Sequence, residues 1–171
     1  EVERSDCIAT VQRNGQQLLK IIDEILDISK VEAGQLQMET LAVDLATLVQ
    51  DVRALLQLQA EEKGLSLEFQ LVRTVPGAVS TDPTRLRQIL INLIANAIKF
   101  TARGGVHVEM DWVADDEVKG RLQFRIRDTG IGIEAGKAEL LFQPFMQVDS
   151  STTRHFGGSG LGLALSREFA R

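Results

Sequence analysis

Seven of the 14 glycines (Gly130, Gly132, Gly136, Gly157, Gly158, Gly160 and Gly162) crowd into residues 128–162. The same stretch holds Pro144 and few apolar residues at regular spacing, so it reads as a long loop with one short helix near 137–141. A loop of that length inside a compact domain is usually functional. Glycine supplies positive φ and lets backbone approach a ligand closely. The last four of the seven open into a final helix, expected over 160–171. A helix N-terminus presents free N–H groups and about half a positive charge, which suits phosphate. The pattern is not a P-loop, because Gly-x4-Gly-Lys-Ser/Thr is absent. Gly158-Ser-Gly160-Leu-Gly162 matches only the opening of a dinucleotide fingerprint and follows no strand. Glycine count alone fits a plain flexible turn equally well.

The rest of the chain supplies a body for this loop. Its 171 residues suit one ordinary domain plus an attached element. A net charge of −5 argues against general nucleic-acid binding, which depends on a basic surface. The single cysteine, Cys7, excludes an internal disulfide and a multi-cysteine metal site, and fits a reducing, cytoplasmic setting. No apolar run approaches the ~20 residues of a membrane span, so no membrane contact is expected. The chain begins at Glu1 without a signal peptide, as an excised piece of a longer protein would.

Residues 1–30 read as one helix. Val11, Leu18 and Ile25 are seven apart, as are Ile8, Gly15, Ile22 and Ser29, which makes a coiled-coil-like seam. Leu19, Ile21, Leu26 and Ile28 widen it to the stripe of a bundle helix, which needs a partner. Gly34 ends it. Leu36–Leu45 reads as a strand or extended linker. A second helix spans Asp44–Lys63, capped by Asp44 and stopped by Gly64. Strict alternation predicts a strand over 65–71, and a short strand over 79–82 runs into the Asp82-Pro83 helix start. A third helix covers 84–100. Strands at 106–112 and 121–126 form a hairpin across an acidic turn.

The third helix carries Asn92 and Asn96 one turn apart, with Lys99 close to that stripe. Its core face is Leu86, Ile89, Leu90, Leu93, Ile94, Ala97 and Ile98. Amides beside such a stripe need partners if buried, and their oxygens are hard ligands that suit Mg²⁺ held largely through substrate phosphates. Asp128-Thr-Gly-Ile-Gly132 follows a predicted strand, where a carboxylate can accept from an exocyclic amine while glycine backbone admits a flat base. The other reading of each is a solvated polar edge or an ordinary Asp-Gly turn.

In this order the signals resemble the nucleotide-binding half of sensor histidine kinases, in the superfamily shared with gyrase B, Hsp90 and MutL. Asn92-Leu-Ile-Ala-Asn96-Ala-Ile-Lys99-Phe-Thr101 resembles the asparagine box, and Asp128-Thr-Gly-Ile-Gly-Ile133 the first glycine box. Leu141-Phe142-Gln-Pro-Phe145 resembles the aromatic box, and Gly157-Gly-Ser-Gly-Leu-Gly162 the second glycine box. Residues 18–34 look like the second helix of the family's dimerisation and phosphotransfer hairpin, in hybrid-type wording. The resemblance implies an α/β two-layer sandwich, a mixed and mostly antiparallel sheet on three helices (the Bergerat ATP-binding fold), preceded by one long dimerisation helix. It implies a helix unit at 1–34 and a catalytic ATP-binding domain at 35–171, cut short before the family's closing strand hairpin.

The implied ligands are ATP and Mg²⁺. Asn96 with Asn92 would hold the metal against the triphosphate, and Lys99 would contact phosphate. Asp128 would take the adenine amino group, with Gly130 and Gly132 shaping the pocket. Phe142, Phe145 and Arg154 belong to the lid region, Arg154 approaching the γ-phosphate. Gly158, Gly160, Leu161 and Gly162 would seat phosphates on the last helix. Hydrolysing cousins carry Glu where this chain has Asn92, and an amide cannot take a proton, so the resemblance implies transfer rather than hydrolysis. The implied partners are a second copy through residues 1–30 and a response-regulator receiver domain.

The family's acceptor histidine, in a His-Glu/Asp-x-x-Thr-Pro motif, is absent. His107 and His155 lack that context and read as surface histidines, and His107-Val-Glu109 lacks the ligands zinc needs. The fragment is therefore expected to bind ATP without autophosphorylating. A non-catalytic nucleotide-sensing dimerisation module shares these boxes. So does an anti-sigma-type serine kinase, though it lacks the helix at 1–30. Asp128-Thr129-Gly130 is also the triplet of dimeric aspartic proteases, a reading that leaves the asparagine helix unexplained.

Overall fold

A computed structural model describes residues 2–115, 120–134, 136–146 and 159–170. The elements run α1 (Val2–Glu32), β1 (Leu41–Asp44), α2 (Leu45–Glu62), β2 (Ser66–Leu71), β3 (Ala78–Thr81), α3 (Pro83–Phe100), β4 (Gly105–Ala114), β5 (Gly120–Asp128) and α4 (Gly162–Phe169). A single 3₁₀ turn occupies Leu140–Phe142, slightly later than the short helix expected near 137–141.

Local chemistry sets the helix starts. Asp44 accepts from the backbone N–H of Ala46 and Thr47 and from the Thr47 hydroxyl. Asp82 accepts from Thr84 and Arg85 at 2.9 and 3.0 Å, with Pro83 opening the first turn. A third N–H, from Glu39 at 3.0 Å, reaches Asp82 across 43 residues and pins the linker after α1 to the start of α3. α2 stops at Gly64, where φ is +68°.

The strands fall into two sheets. β2, β4 and β5 form a mixed sheet, with β2 parallel to β4 and β4 antiparallel to β5 as the expected hairpin. β1 and β3 pair separately, Val43 opposite Val79. Of the strand or extended linker expected across Leu36–Leu45, only Leu41–Asp44 is strand, and Leu45 already opens α2. Alternation sorts the faces: Leu67, Val106 and Val108 are buried, while Arg121, Gln123, Arg125 and Arg127 of β5 are exposed. Leu48, Val52 and Leu56 of α2 and Leu90, Ile94, Ala97 and Ile98 of α3 complete the core. Burying one such Leu or Ile contributes ~1.5–3 kcal/mol. The result is a two-layer α/β sandwich.

A second core lies on the far side of α3. Leu161, Leu165 and Phe169 pack with Ile28, Leu36 and Ile89. α4 therefore sits between α1 and α3 rather than on the sheet. Ile89, expected in the main core face of α3, turns to this smaller cluster. Arg85 seals it, pairing in a fork with Asp27 of α1 at 2.7 and 2.9 Å while its guanidinium lies 4.5 Å from the Phe169 ring centre. The earlier part of the α1 stripe is open, with Val11, Leu18 and Leu19 around 60% exposed.

Candidate nucleotide site on the asparagine helix

α3 brings the sequence signals together. Asn92 and Asn96, one turn apart, are joined by a hydrogen bond from Asn96 Nδ2 to Asn92 Oδ1 at 3.3 Å. Asn92 Nδ2 donates to Ser166 Oγ of α4 at 2.9 Å, and that hydroxyl donates back to the Gly162 carbonyl at 2.9 Å. Gly162 lies flush on the pair: a Cβ there would be 2.3 Å from Asn92 Oδ1. The glycine at the start of α4 is what lets that N-terminus close on the amides.

The first glycine turn meets the other end of the same helix. Asp128 ends β5, and its carboxylate accepts from the Gly130 N–H at 2.9 Å. Gly130 is wedged against α3, since a Cβ would come within 2.5 Å of the Phe100 carbonyl oxygen. The Ile131 N–H donates to that carbonyl. Thr129 locks the turn from behind, donating to the Arg103 carbonyl at 2.9 Å and accepting from the Gly105 N–H at 3.1 Å. Gly132 has φ of +70° and open space where a side chain would be. Lys99 places its ammonium 4.9 Å from the Phe100 ring centre. Desolvation by burial pulls its pKa below the ordinary 10.5, and the drier setting strengthens its attraction for an anion.

The aromatic box reaches the second glycine turn. Phe142 ends the 3₁₀ turn, half-buried, and Phe145 is exposed with a left-handed φ of 64°. The Phe145 N–H donates to the Gly160 carbonyl at 3.1 Å, and a Cβ on Gly160 would touch the Phe145 backbone. Leu161 is fully buried in the second core, so its side chain packs rather than faces a ligand. Gly158 and Arg154, with Gly157 and His155, lie outside the described residues. His107 sits on the outer sheet face, 3.1 Å from Gln70 Oε1 and near Glu68 and Glu109, away from this cluster.

Gly162 thus abuts α3 at Asn92 and Gly130 abuts it at Phe100, eight residues further on. At 1.5 Å per residue that separation is about 12 Å, with Asn96 and Lys99 between. The donor set fits a magnesium nucleotide. Two neighbouring amides offer hard oxygen, and no group of three or more His, Cys, Asp or Glu among the described residues makes an all-protein metal cage. Mg²⁺ suits a site of that kind, since it leans on substrate phosphates and water.

A family described as histidine kinase-, DNA gyrase B- and HSP90-like ATPase matches residues 81–171, more than half of the chain and the part that carries this site. This chain belongs to that family. Relatives of this ATPase domain are sensor kinases. Sensor protein GacS of Pseudomonas syringae pv. syringae is 42% identical over 162 residues, 95% of this chain and 18% of that protein. Signal transduction histidine-protein kinase BarA of Escherichia coli (strain K12) is 40% identical over 163 residues, with the same coverage of 95% and 18%. The chain therefore spans under a fifth of those relatives' length. Full-length ShkA in complex with AMPPNP has the same fold at a TM-score of 0.79 and 30% identity, over 98% of this chain and 33% of that one. Acinetobacter baumannii histidine kinase AdeS matches at 0.71 and 25%, over 95% of this chain and 71% of that one.

Several residues that shape this cluster carry no sequence flag of their own. Ser166 holds Asn92, and its only hint is its place four residues after Gly162. Thr129 reads as filler within the glycine box. Glu24, buried on α1, accepts from the Ser159 hydroxyl, which in turn accepts the Leu161 N–H at 3.2 Å. Nothing in the α1 pattern marks Glu24 apart from the other charges beside the seam.

Proposed function

We propose that this chain binds Mg-ATP along α3 and presents its γ-phosphate to a histidine on a separate helix, for relay to an aspartate in a response-regulator receiver domain. The observation that carries the reading is the asparagine pair, bridged to itself, tied to Ser166 and closed over by Gly162. Asn96 and Asn92 hold the magnesium ion, whose charge neutralises the triphosphate. Lys99 faces phosphate. Asp128 accepts from the adenine amino group, with Gly130 and Gly132 leaving room for the ring. Phe142, Phe145 and Gly160 form the rim on the α4 side. For Arg154 and Gly158 the reading rests on the sequence motif alone.

The amide at position 92 cannot serve as a general base, so water in the site is not activated there. Phosphoryl transfer is mostly positioning and charge neutralisation, and these residues supply both. We assign residues 1–34 to a dimerisation helix that pairs with a second copy, and 35–171 to the catalytic unit. Cys7 and the mixed charge suit a cytoplasmic setting. No described helix is long and apolar enough to cross a membrane.

The test uses this chain, labelled ATP and a helical hairpin bearing the His-Glu/Asp-x-x-Thr-Pro motif supplied in trans. Acid-labile phosphohistidine supports a kinase. Tight Mg-ATP binding with no transfer indicates the nucleotide-sensing module instead. Asn96→Ala and Asp128→Ala should each abolish Mg-ATP binding while circular dichroism stays unchanged; undiminished affinity in both removes the site assignment.

A further inference from the structure

The C-terminus of α3 leaves carbonyls without intrahelical partners, as every helix does. Here the four from residue 98 to residue 101 divide in an unusual way. Lys63, the C-cap of α2, reaches across and donates from its ammonium to the carbonyls of Ile98 and Lys99, both at 2.8 Å, and of Thr101 at 3.3 Å. An ammonium has three donors, and all three find a carbonyl here. The carbonyl Lys63 skips is Phe100, and that one accepts the N–H of Ile131 in the first glycine turn. Gly130 packs on the same Phe100 oxygen.

We propose that Lys63 is a positioning residue for the base end of the nucleotide pocket. By occupying the neighbouring carbonyls it fixes the last turn of α3 with the Phe100 oxygen directed at the glycine turn, and so sets where Asp128 lies. A positive charge at this helix end also complements the macrodipole. Lys63 touches no ligand and lies on a different element from any residue of the motif boxes. The proposal rests on the assignment of the adenine subsite to Asp128 and Gly130.

The experiment measures binding of Mg-ATP and of Mg-tripolyphosphate, which has no base, to the full chain and to Lys63→Met, Lys63→Gln and Lys63→Arg. Lys63→Met should remain folded and lose affinity for Mg-ATP on the order of tenfold, the scale of one charge-assisted hydrogen bond. Its tripolyphosphate affinity should stay near that of the parent chain, and Lys63→Arg should recover most of the ATP affinity. Lys63→Gln, which keeps a donor without the charge, should fall between, and it replaces the Met variant if that one does not fold. Equal ATP affinity in Lys63→Met, or equal losses for both ligands, overturns the proposal, as does failure of both neutral variants to fold. A parent chain that binds tripolyphosphate but shows no preference for ATP removes the adenine assignment itself, a distinct outcome.

Discussion

A methyl group at position 162 would meet only the end of the Asn92 side chain, whereas one at position 130 would meet the Phe100 main chain as well as the Asp128 carboxylate. That contrast separates function from folding at single residues. In Gly162→Ala the Asn92 amide swings aside at little cost, but it then leaves Ser166 and Asn96. We expect near-parental thermal stability and a loss of about tenfold or more in Mg-ATP affinity, read by calorimetric titration. Gly130→Ala must push the Phe100 carbonyl away and should cost ~1–3 kcal/mol in denaturant melts as well. Equal stability of the two variants would contradict the assignment. Asp82 gives a pH prediction. Burial raises its carboxyl, but the N–H groups of Arg85, Glu39 and Thr84 and the Arg85 charge outweigh that, so its pKa lies below the ordinary 3.8. A lowered carboxylate contributes stability that is fully present above 3.8 and is lost as pH falls through the folded-state value. Asp82→Asn should flatten that acid limb. Asp82→Ala should cost ~1 kcal/mol or more at neutral pH from the lost cap.

At the scale of elements, α4 depends on two neighbours. Its apolar side is shared by α1 and α3, and Arg85 ties all three by pairing with Asp27 and stacking on Phe169. Arg85→Ala leaves Asp27 partly buried without its partner, at a cost of order 1–3 kcal/mol. Amide exchange should then quicken first in the last turns of α1 and in α4, while the β4–β5 hairpin keeps its protection. Uniform loss of protection across the molecule would show that α1 is not a separate docking element. The α1 stripe before Glu24 gives a complementary test. Leu18, Leu19 and Ile22 are all exposed. If α1 pairs with a second copy, Leu19→Glu with Ile22→Glu should convert a dimer to a monomer in sedimentation velocity. An unchanged sedimentation coefficient would remove that pairing.

Across the whole molecule, what the sequence made legible was mainly local. The capped starts of α2 and α3, the glycine stop after α2 and the β4–β5 hairpin each follow from a few adjacent residues, and the structure has them. The motif boxes were legible because their spacing is fixed within short segments. What escaped is carried by long separations: the β1–β3 pair, the Glu39 N–H on Asp82, the reach of Lys63 to α3 and the grip of Glu24 on Ser159. Each depends on how elements are stacked, which no window of neighbouring residues encodes. Leu161 adds a packing role that its motif does not reveal, since its side chain is buried in the second core.

β5 bonds to β4 along one side, and among the described residues its other side bonds to no strand. Such a rim invites a second chain to add itself as another strand. Arg121, Arg125 and Arg127 recur at every other or every fourth position on its exposed face, Arg121 paired with Asp115 and the other two with Glu109. Charged side chains along a sheet rim disfavour such an addition, and the effect weakens as salt rises.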